Sequence, residues 1–166
     1  VRFELRKWDL SDAQSIALYA NNKNIADFLR NAFPHPYTVA DAVSYIHRFK
    51  DDTPERICCA ISIEGMAVGS IGVFAREDVY SKSAEIGYWL GEPFWNKGIM
   101  SEAIRRMCTL AFETLPIVRI YAEPFAHNIG SCRALEKAGF MLEGVLKNSI
   151  YKNNQLYDSC IYALLK

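Results

Sequence analysis

Two strand–turn–helix units follow one another in the second half of this chain, and they constrain its fold more than any other feature. In the first, the run Ala84-Glu85-Ile86-Gly87-Tyr88-Trp89-Leu90 passes through Phe94-Trp95-Asn96-Lys97-Gly98 into the amphipathic segment that opens Ile99-Met100-Ser101-Glu102-Ala103. In the second, Ile117 to Glu123 reads as a strand and Asn128 to Ala138 as a helix, with Asn128 a capping residue by type and Gly139 at the terminal position. Such units in tandem set two helix N-termini beside each other. A helix N-terminus gathers unpaired backbone N–H groups and the positive end of a dipole, which suits an anion, most commonly a phosphate. Gly98 lets a backbone approach such a group without a side chain in the way, and Lys97 adds positive charge. The segment lacks the paired glycines and Lys-Ser/Thr ending of a P-loop. It reads as the binding site of a phosphate-bearing cofactor.

The remaining elements follow from periodicity and punctuation. Val1 to Asp9 alternates as a strand, Ser11-Asp12-Ala13-Gln14 has the form of a capping box, and Ile16 to Ala20 continue it as a helix. A short helix is expected from Ile25 to Asn31. Phe33-Pro34-His35-Pro36-Tyr37 must be irregular, because each proline keeps its predecessor out of helical geometry. Thr38 caps a helix with apolar positions Val39, Ala42, Val43, Ile46 and Phe49. Arg56 to Glu64 and Met66 to Arg76 form a hairpin turned at Glu64-Gly65, and Phe140 to Tyr151 with Leu156 to Leu165 form another around Asn153-Asn154. Ile99, Ala103, Met107 and Leu110 mark the apolar face of the helix after Gly98. The expectation is one α/β (α+β) domain spanning 1–166, with a mixed, mostly antiparallel sheet flanked by helices.

Composition narrows the function classes. Acidic and basic side chains balance at 19 each, so no overall field favours nucleic acid or an anionic membrane. No apolar run approaches the ~20 residues of a membrane span, and the opening residues lack the apolar core of a signal peptide. The 5 cysteines have no metal-ligand spacing, which predicts buried free thiols, no metal and a cytoplasmic setting. The histidines, His35, His47 and His127, likewise form no ligand pair.

Taken together, Glu85 to Leu90, the turn Trp95 to Met100, Asn128-Ile129-Gly130-Ser131, Leu135 to Phe140, Glu143-Gly144 and Tyr157-Asp158 resemble the GNAT N-acetyltransferases. The similarity extends over essentially the whole chain and is greatest to the RimJ/RimL type, which acetylates ribosomal-protein N-termini. The resemblance implies that acetyl-CoA binds where the Glu85–Leu90 and Ile117–Glu123 strands splay apart. Backbone N–H groups of Trp95, Asn96, Lys97, Gly98, Ile99 and Met100 would hold the pyrophosphate, and Ser101 would also lie at the cofactor. Backbone around Tyr88, Trp89 and Leu90 would pair with the pantetheine arm like an added strand. Asn128 would meet the pantetheine amide, and Ser131 would lie near the sulfur. The chain departs from the general Arg/Gln-x-x-Gly-x-Gly/Ala pattern, with Trp95 at the first position and Met100 at the last; methionine there is familiar in the RimJ/RimL branch.

Acetyl transfer needs a neutral amine, so a base or a water chain must take a proton. Glu85, on one strand face with Gly87 and Trp89, is the candidate base, with a buried structural glutamate as the alternative. Ser131 is the candidate donor to the departing thiolate, with helix capping as the alternative. Glu123 and Asp158 are weaker substitutes for the base, and Asp158 reads better as ordering the last hairpin. Tyr37, Glu85 and Tyr151 are the expected acceptor-groove residues. The acceptor is expected to be the α-amine of a protein or peptide, attacked directly in a ternary complex of a monomer or homodimer. A small-molecule amine acetyltransferase, acting on an antibiotic or polyamine, and a non-catalytic acyl-CoA-binding module stay open beside it.

Overall fold

A computed structural model describes residues 1–166. Its seven strands form one sheet in the order β1-β2-β3-β4-β5-β7-β6. The strands are β1 (Glu4–Arg6), β2 (Arg56–Ile63), β3 (Met66–Ala75), β4 (Ser83–Leu90), β5 (Arg119–Ala122), β6 (Met141–Lys152) and β7 (Gln155–Leu165). The helices are α1 (Ala13–Ala20), α2 (Lys23–Ala26), α3 (Val39–Phe49), α4 (Ile99–Thr114) and α5 (Ile129–Lys137). All neighbouring strands pair antiparallel except β4 and β5.

Both hairpin turns pass through two residues of left-handed backbone, a conformation that Gly65, Asn153 and Asn154 accept readily. Glu64 and Gly65 have φ of 50° and 82°, and Asn153 and Asn154 have 52° and 61°, the pattern of a type I′ turn that matches strand twist. The sheet separates two apolar layers. Ile57, Cys59, Ile71, Val73, Ile86 and Ile120 face α4 and α5, while Cys58, Ala60, Ala67 and Trp89 face α1 and α3. Period-two alternation thus sends Cys58 and Cys59 to opposite cores. All cysteines are free and buried. No helix is long and apolar enough to cross a membrane.

Several boundaries differ from the sequence expectation. The first strand covers only Glu4–Arg6, because Asp9 leaves extended pairing to accept from Ser11 N. Asp9 and Asp12 form the capping box in place of Ser11 and Gln14; Arg6 holds both Asp12 carboxylate oxygens at 2.8 Å. The second helix begins at Lys23, capped by Asn22, and ends at Ala26, after which bonds to residues three back tighten the chain into turns through Leu29. On α4 the buried stripe runs through Ile99, Ala103, Ile104, Met107, Cys108 and Ala111. At 100° per residue Leu110 falls on the edge of that stripe, and it is 37% exposed.

Candidate active site

The sheet opens between β4 and β5. Their parallel pairing joins only Ser83, Ala84 and Glu85 to Arg119, Ile120 and Tyr121. Beyond Glu85, β4 keeps its partner β3 as far as Leu90, so its other edge has no strand beside it. Into this gap face the start of α4, the start of α5 and the segment around α2, which enclose a cavity of about 660 Å³.

The N-terminal end of α4 supplies the polar floor. Asn96 and Gly98 both have positive φ, 61° and 75°, and no atom lies within 4 Å of where a Cβ on Gly98 would stand. The backbone N–H groups from Asn96 to Ser101 donate to nothing within the chain; the first helical bond runs from Glu102 N to Gly98 O. A run of unpaired N–H groups around left-handed residues is an anion-binding arrangement. Lys97, Arg133 and Lys137 are exposed and line the same cavity, adding cationic side chains to a site of otherwise mixed apolar character.

Every residue that the resemblance assigns to the cofactor lines this cavity: Tyr88, Trp89, Leu90, Trp95 to Ser101, Asn128 and Ser131. The side chains differ in what remains free. The Trp95 indole N–H donates to Leu90 O at 2.7 Å, fixing the turn to the end of β4. Ser101 Oγ donates to Gly98 O at 3.1 Å. The Asn128 carbonyl accepts from Ser131 N at 3.2 Å and so caps α5, which leaves the Ser131 hydroxyl outside the capping geometry. That hydroxyl is 2.6 Å from the Tyr88 hydroxyl. Burial holds the Tyr88 phenol well above its ordinary pKa, so it stays protonated beside Ser131.

Tyr88 as a side chain, and not only as backbone, is a feature the sequence reading passed over. Alternation places it on the face opposite Glu85, toward α4 and α5, which is the signal that exposes it. Arg133, Lys137, the α2 residues Asn24 and Ile25, and Phe28 and Leu29 of the turns after α2 also line the cavity without having been singled out. Arg133 and Lys137 lie four apart on α5, on one face with Ile129, Gly130 and Ala134. The segment after α2 is held from afar: Lys152 Nζ, on a residue only 9% exposed, donates to Leu29 O at 2.8 Å and to Asn31 Oδ1 at 3.1 Å. Glu92 accepts from Asn22 and Asn24.

Glu85 sits outside the cavity, on the opposite face of the sheet. Its carboxylate accepts from Arg30 Nη2 at 2.9 Å and 3.1 Å. Gly87, two residues on, is exposed. Tyr37 is 6% exposed; it packs its ring 5.2 Å from Phe33 and donates its backbone N–H to Asn21, because the loop turns it into the α1–α3 core. Tyr151 is 67% exposed near the tip of the β6–β7 hairpin, where its hydroxyl donates to Asn154. Neither tyrosine lines the cavity. Glu123 accepts from Ser159 Oγ, and Asp158 accepts from Asn148 N and Lys147 Nζ within the last hairpin. His127 stacks its ring 4.5 Å from that of Tyr157.

A family model described as an acetyltransferase (GNAT) domain matches residues 2–141. The chain belongs to the GNAT acetyltransferase family. The uncharacterized N-acetyltransferase YoaA of Bacillus subtilis is 30% identical over 169 residues, covering 99% of this chain and 94% of that protein. The ribosomal-protein-serine acetyltransferase of Escherichia coli is 34% identical over 95 residues, 56% of this chain and 53% of its own length. Among solved structures, the microcin C7 self-immunity acetyltransferase MccE in complex with acetyl-CoA and AMP is similar at a TM-score of 0.83 and 27% identity, covering 99% of this chain and 92% of that one. This GNAT protein is accordingly an acetyl-CoA-dependent N-acetyltransferase that acts on an amine, and its relatives include ribosomal-protein acetyltransferases of the RimJ/RimL type. The unpaired N–H run and the unobstructed Gly98 fit the pyrophosphate of acetyl-CoA, and the open edge of β4 fits the pantetheine amides.

Proposed function

We propose that this GNAT acetyltransferase, working in the cytoplasm, acetylates the N-terminal α-amine of a protein or peptide. The observation that carries the reading is the sheet surface at half-buried Glu85 and exposed Gly87, on the side of the sheet away from Tyr88 and Ser131. An extended chain lying along this surface brings its terminal amine to the gap between β4 and β5. Acetyl-CoA supplies the acetyl group as a thioester. Glu85, on the acceptor face, accepts the proton of the incoming ammonium directly or through water once Arg30 yields its place. Ser131, paired with the protonated Tyr88, donates to the departing sulfur, where a contact that strengthens as charge develops lowers the barrier.

The similarity to the ribosomal-protein-serine acetyltransferase supports the peptide acceptor. The similarity along nearly the whole chain to MccE, solved with AMP, supports a second reading in which the acceptor is a small amine joined to a nucleotide. A screen of N-terminal peptides and small amines, followed by thiol release from acetyl-CoA, separates them. Turnover of peptides is expected; turnover of small amines alone overturns the peptide reading, and binding of acetyl-CoA with no turnover on any amine leaves an acyl-CoA-binding module.

A further inference from the structure

On the acceptor face, the neighbours of Glu85 form a second hollow. Phe74 of β3 and Tyr121 of β5 are its register partners on either side, and in the same parallel register Ser83 lies beside Arg119. Arg76, whose backbone N–H donates to Ser83 O at 2.8 Å, joins Tyr80, Ser83, Arg119, Tyr121 and Ile161 around a hollow of about 180 Å³.

Two guanidinium groups converge on one ring there. Arg119 lies 5.2 Å from the Tyr121 ring centre, and Arg76 lies 5.8 Å from it and 5.5 Å from that of Tyr80. Arg76 also donates to the Tyr121 hydroxyl, its one side-chain hydrogen bond, and has no carboxylate partner. Arg119 pairs with Glu143. Ring stacking holds Arg76 without neutralising it, and its fork keeps further donors in the geometry that matches a carboxylate or a phosphate.

We infer that this hollow receives an anionic group, carboxylate or phosphate, carried by the acceptor close to its reacting amine. The inference rests on the reading of the Glu85 face as the acceptor side. Ser83 and Glu85 are two residues apart on one strand, about 6.7 Å, so an extended peptide would place the anion at its second or third residue. The same positive charge disfavours a polyamine.

The test compares peptides beginning Ser-Asp-Asp, Ser-Asn-Asn and Ser-Lys-Lys, with a phosphoserine in place of the aspartates as a further arm, on the parent enzyme and on Arg76→Gln. The expected kcat/KM is about tenfold higher for an anionic peptide than for the neutral one at low salt, and Arg76→Gln should collapse that ratio to within about twofold. The larger of the two anionic ratios tells carboxylate from phosphate. A parent ratio near one, or a ratio that survives in Arg76→Gln, overturns the inference. If no peptide is turned over, the same ratio is read between small amines with and without a carboxylate. An Arg76-dependent preference there sustains the anion site while the peptide reading fails, and its absence removes both.

Discussion

Gly98 is where a single position can locate the bound phosphates. The residue holds φ at 75° with no atom within 4 Å of a Cβ, so substitution brings no steric clash and costs mainly the left-handed conformation, about 1–2 kcal/mol. For a chain of this length that lowers Tm by roughly 2–8 °C, and the loss is shared by Gly98→Ala, Gly98→Glu and Gly98→Lys. Charge then separates the three. A carboxylate about 6 Å from a pyrophosphate bearing about two charges is repelled by roughly 1.4 kcal/mol in a water-like dielectric, which is about tenfold in Kd. Calorimetric titration with acetyl-CoA at low salt should therefore order the affinities Lys, Ala, Glu from tightest to weakest, with about a decade between alanine and glutamate. Salt near 0.1 M, with a screening length of about 10 Å, should narrow the spread. Thermal shift offers a second readout, since ligand at about 100 times Kd stabilises by roughly 2.7 kcal/mol. Equal Kd values for the glutamate and lysine variants would refute the reasoning and move the pyrophosphate away from the unpaired N–H groups of Asn96 to Ser101.

Other perturbations separate chemistry from scaffolding. Ser131→Ala and Tyr88→Phe should each slow single-turnover transfer with little change in acetyl-CoA affinity, whereas Asn128→Ala should cost about 0.5–2 kcal/mol of stability as a lost cap; a Ser131→Ala enzyme that is less stable but transfers normally rules out the thiolate role. Glu85→Gln should lower kcat by about 10²–10⁴-fold if Glu85 is the base, while Arg30→Ala should lower the acceptor KM by removing the side chain that competes for the same carboxylate; unchanged kinetics in both would return the pair to a structural role. Burial pushes the Cys59 and Cys108 thiols up from 9.0 to about 12. Between those values the unfolded chain has lost protons that the native state retains, so stability is intact below about pH 9 and falls as pH rises toward 12. Melting curves from pH 8 to 11 should show that slope, and Cys108→Ala should flatten it.

The parts legible from sequence are those that local chemistry decides. Gly65 and Asn153-Asn154 announce their turns because glycine and asparagine are among the few residues that tolerate positive φ. Gly98 and Asn128 announce helix starts, and the alternation of β4 separates Glu85 from Tyr88. The segment after Asn22 was less legible. Its conformation is set by Lys152 Nζ on Leu29 O and by Glu92 on Asn22 and Asn24, contacts 123, 70 and 68 residues apart in sequence that no local pattern carries. Tyr37 failed to show its place for a related reason: an aromatic residue in a proline-rich loop suits a groove or a core equally, and only packing on Phe33 decides.

The gap itself also has a local origin. β5 ends at Ala122, and two residues on stands Pro124, which has no N–H to offer a neighbouring strand. Its carbonyl instead accepts from Cys160 N at 2.9 Å, Ala126 N donates to Asp158 O at 2.8 Å, and Phe125 bridges to Ser159. The chain after β5 is thus held to β7, while β4 continues along β3 until Gly91 N donates to Val68 O. Two strands that start side by side are drawn apart by their other partners. The slot is therefore a consequence of sheet pairing on both flanks, and the Trp95 indole on Leu90 O closes its far end. The sheet thus sets the width of the opening, and Gly98, Asn128 and Ser131 stand at the two helix starts that line it.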